Sequence, residues 1–323
     1  MGNIYFFYLK NIIKLMRQMF HIIIIKQRRK KMKDYFGYQN KVCVVTGAAS
    51  GMGKAAAEML VDLGAKVYAL DWAEVKVDGI EKYIHTDLSK KDSIDQAFMH
   101  IPEHIDAYFG IAGVSGSKTD FITTTKIDLI SNKYICEEIL QNRMSQGGAI
   151  AFITSTGGNG WEKEGNKKVY MPVLQTKTWD EAVSVLENSI LSHLPGTLAY
   201  PFSKLAMNYY TIQLQALFAS KGIRVNSVLP GSTDTGMKDE FEKMAGGEKE
   251  LLSHTGYAKR LAESKEMAEP VVFINSQMAS YISGELLIVD YGCTSEEVAG
   301  IKENPMAVDL SLILEQIQKM AQQ

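Results

Sequence analysis

Apolar residues recur along this chain in two alternating patterns. Short contiguous runs rich in Val and Ile alternate with longer stretches in which apolar residues return every three or four positions. The runs mark buried strands, and the longer stretches mark amphipathic helices. The alternation opens with a strand at Val42–Val45 and a helix with Ala56, Met59, Leu60 and Leu63 on one face. A second strand follows at Val67–Leu70. Gly64 ends that helix, because glycine enters the left-handed cap cheaply. Further strands are predicted at 82–85, 105–111, 149–154, 223–228 and 286–289. Helices are predicted at 91–100, 122–144, 179–194, 199–219 and 267–278, with Pro270 in the first turn of the last. Another amphipathic helix in the tail carries Leu310, Leu312, Ile313, Leu314, Ile317 and Met320. Strands and helices in alternation predict an α/β fold, a doubly wound parallel sheet of Rossmann-like, three-layer form.

The pattern assigns residues 34–323 to a single domain with one insertion. The insertion, 157–196, starts with glycines and charges, and its Thr178-x-x-Glu181 resembles a capping box. A stretch this long between elements is usually functional or carries its own structure, so a substrate wall or an oligomer contact is expected there. Residues 236–258 place Met237, Phe241, Met244, Leu251 and Leu252 among charges, which reads as a mobile helical lid or as a plain surface helix pair. The tail spans 293–323.

Residues 1–33 stand apart, with many Lys and Arg and no acid before Asp34. They read as a poorly ordered leader, or as an extension upstream of a working start at Met32. A basic amphipathic segment touching a membrane is the competing reading. No run there approaches the roughly 20 apolar residues of a membrane span.

Composition narrows the function classes. The 323 residues are 46% hydrophobic, enough for one large core. A formal charge of −2 gives no argument for nucleic acid as a partner. Cys43, Cys136 and Cys293 form no pair motif and read as inert thiols in a reducing, cytoplasmic compartment. The six histidines lack metal-ligand spacing, so no metal is expected.

The chemistry starts in the turn after the first strand, Thr46-Gly47-Ala48-Ala49-Ser50-Gly51-Met52-Gly53. Its glycines let backbone approach a pyrophosphate, and the following helix offers free N–H groups with a partial positive charge. Asp71, closing the second strand, can accept hydrogen bonds from a ribose 2′-OH and repels a 2′-phosphate. Neither Ser50 nor Trp72 is an Arg or Lys that would reverse this, so NAD is favoured over NADP. Asp87 suits an adenine amino group or a helix cap, and Ala112-Gly113 leaves room in the crevice. Tyr200 and Lys204 lie one helical turn apart, and Ser155 ends the fifth strand. A nearby ammonium favours the phenolate of a tyrosine. Tyr200 is therefore read as a general acid–base, Lys204 as its electrostatic tuner and cofactor clamp, and Ser155 as the group that orients the substrate oxygen. The reaction expected is hydride transfer between a secondary alcohol and the nicotinamide of NAD.

These pieces together resemble a short-chain dehydrogenase/reductase. Thr46-Gly47-x-x-x-Gly51-x-Gly53, Asp71, Asp87-Leu88, Ala112-Gly113, Ser155, Tyr200-x-x-x-Lys204, Pro230-Gly231-x-x-x-Thr235 and Asp290-x-Gly292 occur in the family's order over 41–292. The resemblance implies that Thr233 and Thr235 contact the cofactor's carboxamide and phosphate region, and that the protein is a homo-oligomer. Three features depart from the family pattern. Gly110-Ile111 stands where the family has Asn-Asn, and Asp128 where it has a catalytic asparagine. Ser155 and Tyr200 are 45 positions apart, further than in most members. The long insertion is similar to that of bacterial 3α-hydroxysteroid dehydrogenase/carbonyl reductases, and would cover the helix face that usually builds the family's tetramer. A bulky apolar hydroxy or keto substrate is expected, such as a steroid or bile acid. Another steroid position, a general ketone, or an NAD sensor whose catalysis has lapsed are the alternatives.

Overall fold

The computed structural model describes residues 34–302 and 309–321, with isolated positions 14, 16 and 17. It divides into two units, Met1–Tyr35 and Phe36–Gln323, and the second contains the sheet. The expectations for the 1–33 leader lie outside the described residues, as does the placement of the Met320 side chain.

In chain order, β1 (Val42–Thr46) leads to α1 (Gly51–Asp62), β2 (Lys66–Asp71), β3 (Lys82–His85), α2 (Lys91–Phe98) and β4 (Ile105–Gly110). A long helix, α3 (121–143), runs into β5 (Met144–Ile153). Then come α4 (Glu164–Leu174), α5 (Trp179–Glu187), α6 (Gly196–Phe218) and β6 (Arg224–Pro230). The short strands β7 (Thr233–Asp234) and β8 (Ala262–Glu263) bracket α7 (Lys238–Ala245) and α8 (Glu248–Ser253). Last are α9 (Ser264–Asn275), β9 (Leu286–Val289), α10 (Cys293–Val298) and α11 (Leu310–Ala321).

Seven strands form one sheet in the order β3-β2-β1-β4-β5-β6-β9, with every neighbouring pair parallel. The chain winds outward from β1 to β3 and then crosses back to β4, and ligand crevices open at such a reversal. Helices cover both faces, so the central strands are apolar on both sides and read as unbroken runs. On one face Ala56, Leu60, Val271 and Val272 pack with Cys43 and Val45. On the other, Leu129, Ile135, Phe202, Leu205 and Tyr170 pack with Val44, Ile150 and Cys136. The sheet and its two helical layers match the expected fold class.

Several boundaries differ from the sequence pattern. Two π-helical turns, Lys126–Ile130 and Ile135–Leu140, interrupt α3. The fifth strand begins at Met144, which pairs with Ile105, while Ala149 pairs with Ala107. The chain between bulges out, and Gly147 there takes φ +76°, so the glycines kink a strand instead of preceding one. The helix expected at 179–194 stops at Glu187, where Asn188 and Ser189 turn their side chains back onto the carbonyls of Ser184 and Leu186. The capping box at Thr178 and Glu181 does form. Pro270 lies in the middle of α9, because a capping box between Glu263 and Glu266 starts the helix three residues early. Neither Asp87 nor Ser89 caps α2, whose N-cap residue is Lys90. No helix among the described residues is long and apolar enough to cross a membrane.

The insertion adds α4 and α5 to the face occupied by α6, and α11 closes over α4. Asn166, fully buried, ties these pieces together. Its Nδ2 donates to the Gly160 carbonyl at 3.0 Å, and its Oδ1 accepts from the Leu310 amide at 2.9 Å. Asn166→Leu strands both backbone groups, and is expected to cost about 1–3 kcal/mol in urea denaturation and to hasten proteolysis of the tail. An unchanged urea midpoint would show that the tie carries no stability.

Candidate active site

Two spaces open at the C-terminal ends of the strands: a groove of about 630 Å³ beside the turn after β1, and a cavity of about 230 Å³ beside Tyr200. The groove floor has no room for side chains. A Cβ on Gly47, which sits at φ +72°, would lie 2.7 Å from the Ala112 Cα. One on Gly53 would lie 2.0 Å from the Gly47 carbonyl oxygen. The Thr46 hydroxyl accepts the Ile111 and Ala112 amides at 3.1 and 3.2 Å, fixing the end of β1 to the end of β4. Ser50 precedes α1 without capping it by its side chain, and the first turn of α1 holds no acid. The positive end of that helix is therefore uncompensated where Gly51, Met52 and Gly53 line the groove. Asp71 accepts the Ala49 and Ala73 amides, each at 2.9 Å, and keeps further lone pairs for a ligand. Trp72, largely exposed, lines the groove with Asp87, Leu88, Ala112 and Gly113. Bare backbone, an open helix N-terminus and an acid at the end of β2 fit a dinucleotide.

The cavity is built on the contact between the loop after β5 and α6. A Cβ on Gly158 would lie 2.6 Å from both the Lys204 carbonyl and Asn208 Nδ2, and Asn208 donates to the Gly158 carbonyl at 3.0 Å. This seating brings Ser155 beside Tyr200. The Ser155 hydroxyl accepts the Gly157 amide at 2.9 Å. Lys204 is buried beneath, donating to the Ile153 carbonyl at 3.4 Å, with its Nζ 5.3 Å from the centre of the Tyr200 ring. Asp128 is 1% exposed in the first π turn of α3. Its Oδ1 accepts the Val114 amide at 2.8 Å, and its Oδ2 has no partner. Gly113 separates the two charged groups: a Cβ there would lie 3.4 Å from Asp128 Oδ1 and 3.6 Å from Lys204 Nζ.

Burial dominates the electrostatics. It pushes the Tyr200 phenol up to about 12, with Asp128 adding to the rise and a hydrogen bond from Ser155 opposing it. It pushes Lys204 down against the pull of Asp128. It raises the Asp128 carboxyl to about 6, against Lys204 and the Val114 amide. The lowering of Tyr200 expected from its lysine neighbour is therefore not what this site shows, because loss of solvation outweighs it.

Most of the residues singled out in the sequence meet here. Thr235 and Met52 line both spaces, whereas Thr233 lies on the cavity side and donates to the Gly231 carbonyl at 2.9 Å. Lys204 and Asp128 sit behind the walls. Sequence reasoning missed Glu240, Ser115 and Lys118 on the groove, and His254 and Thr294 on the cavity. None belongs to a motif, and only the fold brings them there. Among the described residues no group of three or more His, Cys, Asp or Glu is placed to hold a metal.

Two family models match consecutive parts of the chain: short chain dehydrogenase over 41–171, and Enoyl-(Acyl carrier protein) reductase over 171–294. The chain belongs to the short-chain dehydrogenase/reductase family. It is 28% identical over 260 residues to a coniferyl-alcohol dehydrogenase of Pseudomonas sp., covering 80% of this chain and 98% of that one. It is 27% identical over 269 residues to dehydrogenase/reductase SDR family member 6 of Rattus norvegicus, covering 79% and 97%. A 3-alpha-hydroxysteroid dehydrogenase from Pseudomonas sp., solved in complex with NADH, shares the fold at a TM-score of 0.65 and 21% identity, over 82% of this chain and all of that one. Membership makes this short-chain dehydrogenase/reductase an oxidoreductase that uses a nicotinamide cofactor.

Asp128 gives the site a pH-dependent cost. The folded chain holds that proton more tightly than the unfolded chain does. The stabilising contribution is complete below the ordinary carboxylate value and is lost as pH rises through about 6. Asp128→Asn removes the loss, so its urea resistance relative to the natural chain is expected to improve between about pH 4.5 and about pH 7.5. An equal gap at both pH values would show that Asp128 titrates normally.

Proposed function

We propose that this protein is an NAD-dependent oxidoreductase interconverting an apolar secondary alcohol and its ketone. The observation that carries this reading is Ser155 and Tyr200 on the cavity, with Lys204 buried behind them, beside a groove that shares Met52, Thr235 and Met237 with that cavity. Tyr200 exchanges a proton with the substrate oxygen, and Ser155 holds that oxygen while charge develops on it. A charged Lys204 would oppose the burial that raises the Tyr200 phenol, and it clamps the nicotinamide ribose. Bound NAD supplies the hydride acceptor. Gly47, Ser50, Gly51, Met52 and Gly53 receive the pyrophosphate, while Ala112 and Gly113 leave room for the ribose beside it. Asp71 and Trp72 hold the adenosine ribose, and Asp87 and Leu88 the adenine. Thr233 and Thr235 hold the carboxamide and phosphate region. Asp71 favours NAD, because a 2′-phosphate would meet its carboxylate. The protein acts as a homo-oligomer, with the insertion covering one face of α6.

The cavity is walled by Met52, Met237, Phe241, Met244 and Leu251, which suits an apolar ring system such as a steroid or bile acid. Its volume of about 230 Å³ is below the range of roughly 300–1,000 Å³ usual for drug-sized ligands, so a four-ring substrate requires the lid to move. That size and the likeness to coniferyl-alcohol dehydrogenase favour a second reading, a single-ring aromatic alcohol.

NADH formation with hydroxysteroids, bile acids, aromatic alcohols and simple secondary alcohols, with NAD and NADP in parallel, tests substrate and cofactor together. Turnover with NADP matching that with NAD would sink the Asp71 argument. Tyr200→Phe is expected to lower kcat/KM by about 10²–10⁴-fold while NADH binding persists. Absence of turnover in the natural chain, with NADH still bound, would instead favour the sensor reading. Asp128→Asn removes a negative charge that raises the Tyr200 phenol, so the alkaline rise of alcohol oxidation is expected to move to lower pH. A profile that stays in place would free Asp128 of any influence on Tyr200.

A further inference from the structure

Groove and cavity share α7 as a wall, and adjacent residues on it serve the two spaces. Phe241 stands edge-on to the Tyr200 ring, with centroids 5.1 Å apart. Glu240, the residue before it, lines the groove. Its carboxylate accepts a hydrogen bond from the Ser115 hydroxyl and pairs with Lys118 Nζ at 2.5 Å. Ser115 and Lys118 belong to the loop after β4, a separate wall of the same groove. Elsewhere the lid is held at its base, where β7 pairs with β8 and Arg260 makes two 2.7 Å bonds to Glu266. Near α8, Lys302 donates to the Ser253 carbonyl at 2.6 Å. Among the described residues, the Glu240 contacts span the groove and join the lid to a loop 125 positions away in sequence.

We propose that Glu240 is a latch whose bonds to Ser115 and Lys118 hold the lid across the groove, so that a dinucleotide is admitted or released only when they break. The proposal rests on the reading of the groove as a nicotinamide-dinucleotide site. It reaches beyond that reading by naming what controls exchange. A carboxylate on a groove that takes phosphates would repel them if left alone. Lys118 compensates that charge when the latch is shut, and solvent reaches the pair from the lysine end, where the side chain is 83% accessible against 17% for the glutamate. The latch therefore sets rates of uptake and release more than affinity.

The test is stopped-flow NADH fluorescence on the full chain. Glu240→Gln keeps the size of the side chain and an acceptor for Ser115 but loses the attraction to Lys118. Uptake and release are both expected to quicken about two- to fivefold, the range for loss of an exposed ion pair, with a smaller change in Kd. Lys118→Met, at an exposed position, parts the same pair but leaves the Glu240 charge bare, so release is expected to quicken likewise while uptake gains less. Raising salt to about 0.5 M is expected to speed release in the natural chain and not in either variant. Rates unchanged in both variants overturn the latch. A weaker Kd through slower uptake alone also overturns it, because Glu240 would then be an ordinary cofactor contact. If the natural chain binds no NADH, the reading of the groove fails and the latch with it, an outcome distinct from binding at unaltered rates.

Discussion

Close approach of backbone to backbone at the end of β1 is the constraint on which the rest depends. Gly47 lies against Ala112, and Gly53 lies against Gly47, at distances that exclude any Cβ. That contact draws the turn after β1 onto the end of β4 and points the start of α1 at the space between them. The reversal of strand order leaves this space open, and the missing side chains leave its floor bare. The same device recurs at Gly158, whose contact with the Lys204 carbonyl seats the loop after β5 on α6. Glycine contacts on both sides of the crevice thus hold Ser155, Tyr200 and the groove in register.

Behind that crevice the protein buries two opposite charges without joining them. Lys204 and Asp128 shift toward their neutral forms, the lysine downward and the carboxyl upward, because solvation is lost on both sides. Each restrains the shift of the other. An asparagine at 128 would offer the same shape with no charge to bury, so the aspartate couples the titration of the site to the stability of the fold. Its place in a π turn of α3 is in keeping with the frequent use of such turns at functional sites.

Much of this was legible in the order of the residues. Strands buried on both faces leave contiguous apolar runs, and β1 and β2 fall where those runs lie; the edge strand β9, only half-buried, keeps such a run too. Thr178 and Glu181 announced their capping box, and Gly47, Asp71, Ser155 and Tyr200 pointed to the candidate site. Elsewhere local signals were weak or were overruled. α4 holds Gly165, Asn166 and Pro172, all poor helix formers, and it forms because Tyr170 and Val173 are fully buried. The π turns of α3 leave no trace in a period of three or four residues. Glu240 meets Ser115 across 125 positions, and nothing in the pattern of either segment marks the contact.

The three cysteines gain a use from where the fold puts them. Cys43 lies in the core between the sheet and α1, Cys136 in the opposite core beneath α6, and Cys293 in the wall of the cavity. Burial raises all three thiols, so each reacts slowly until its surroundings open. The chain thus carries a built-in reporter in each of three compartments. The relative rates at which an alkylating reagent labels them would rank how often the two helical layers and the cavity wall breathe, without adding a foreign group to the protein.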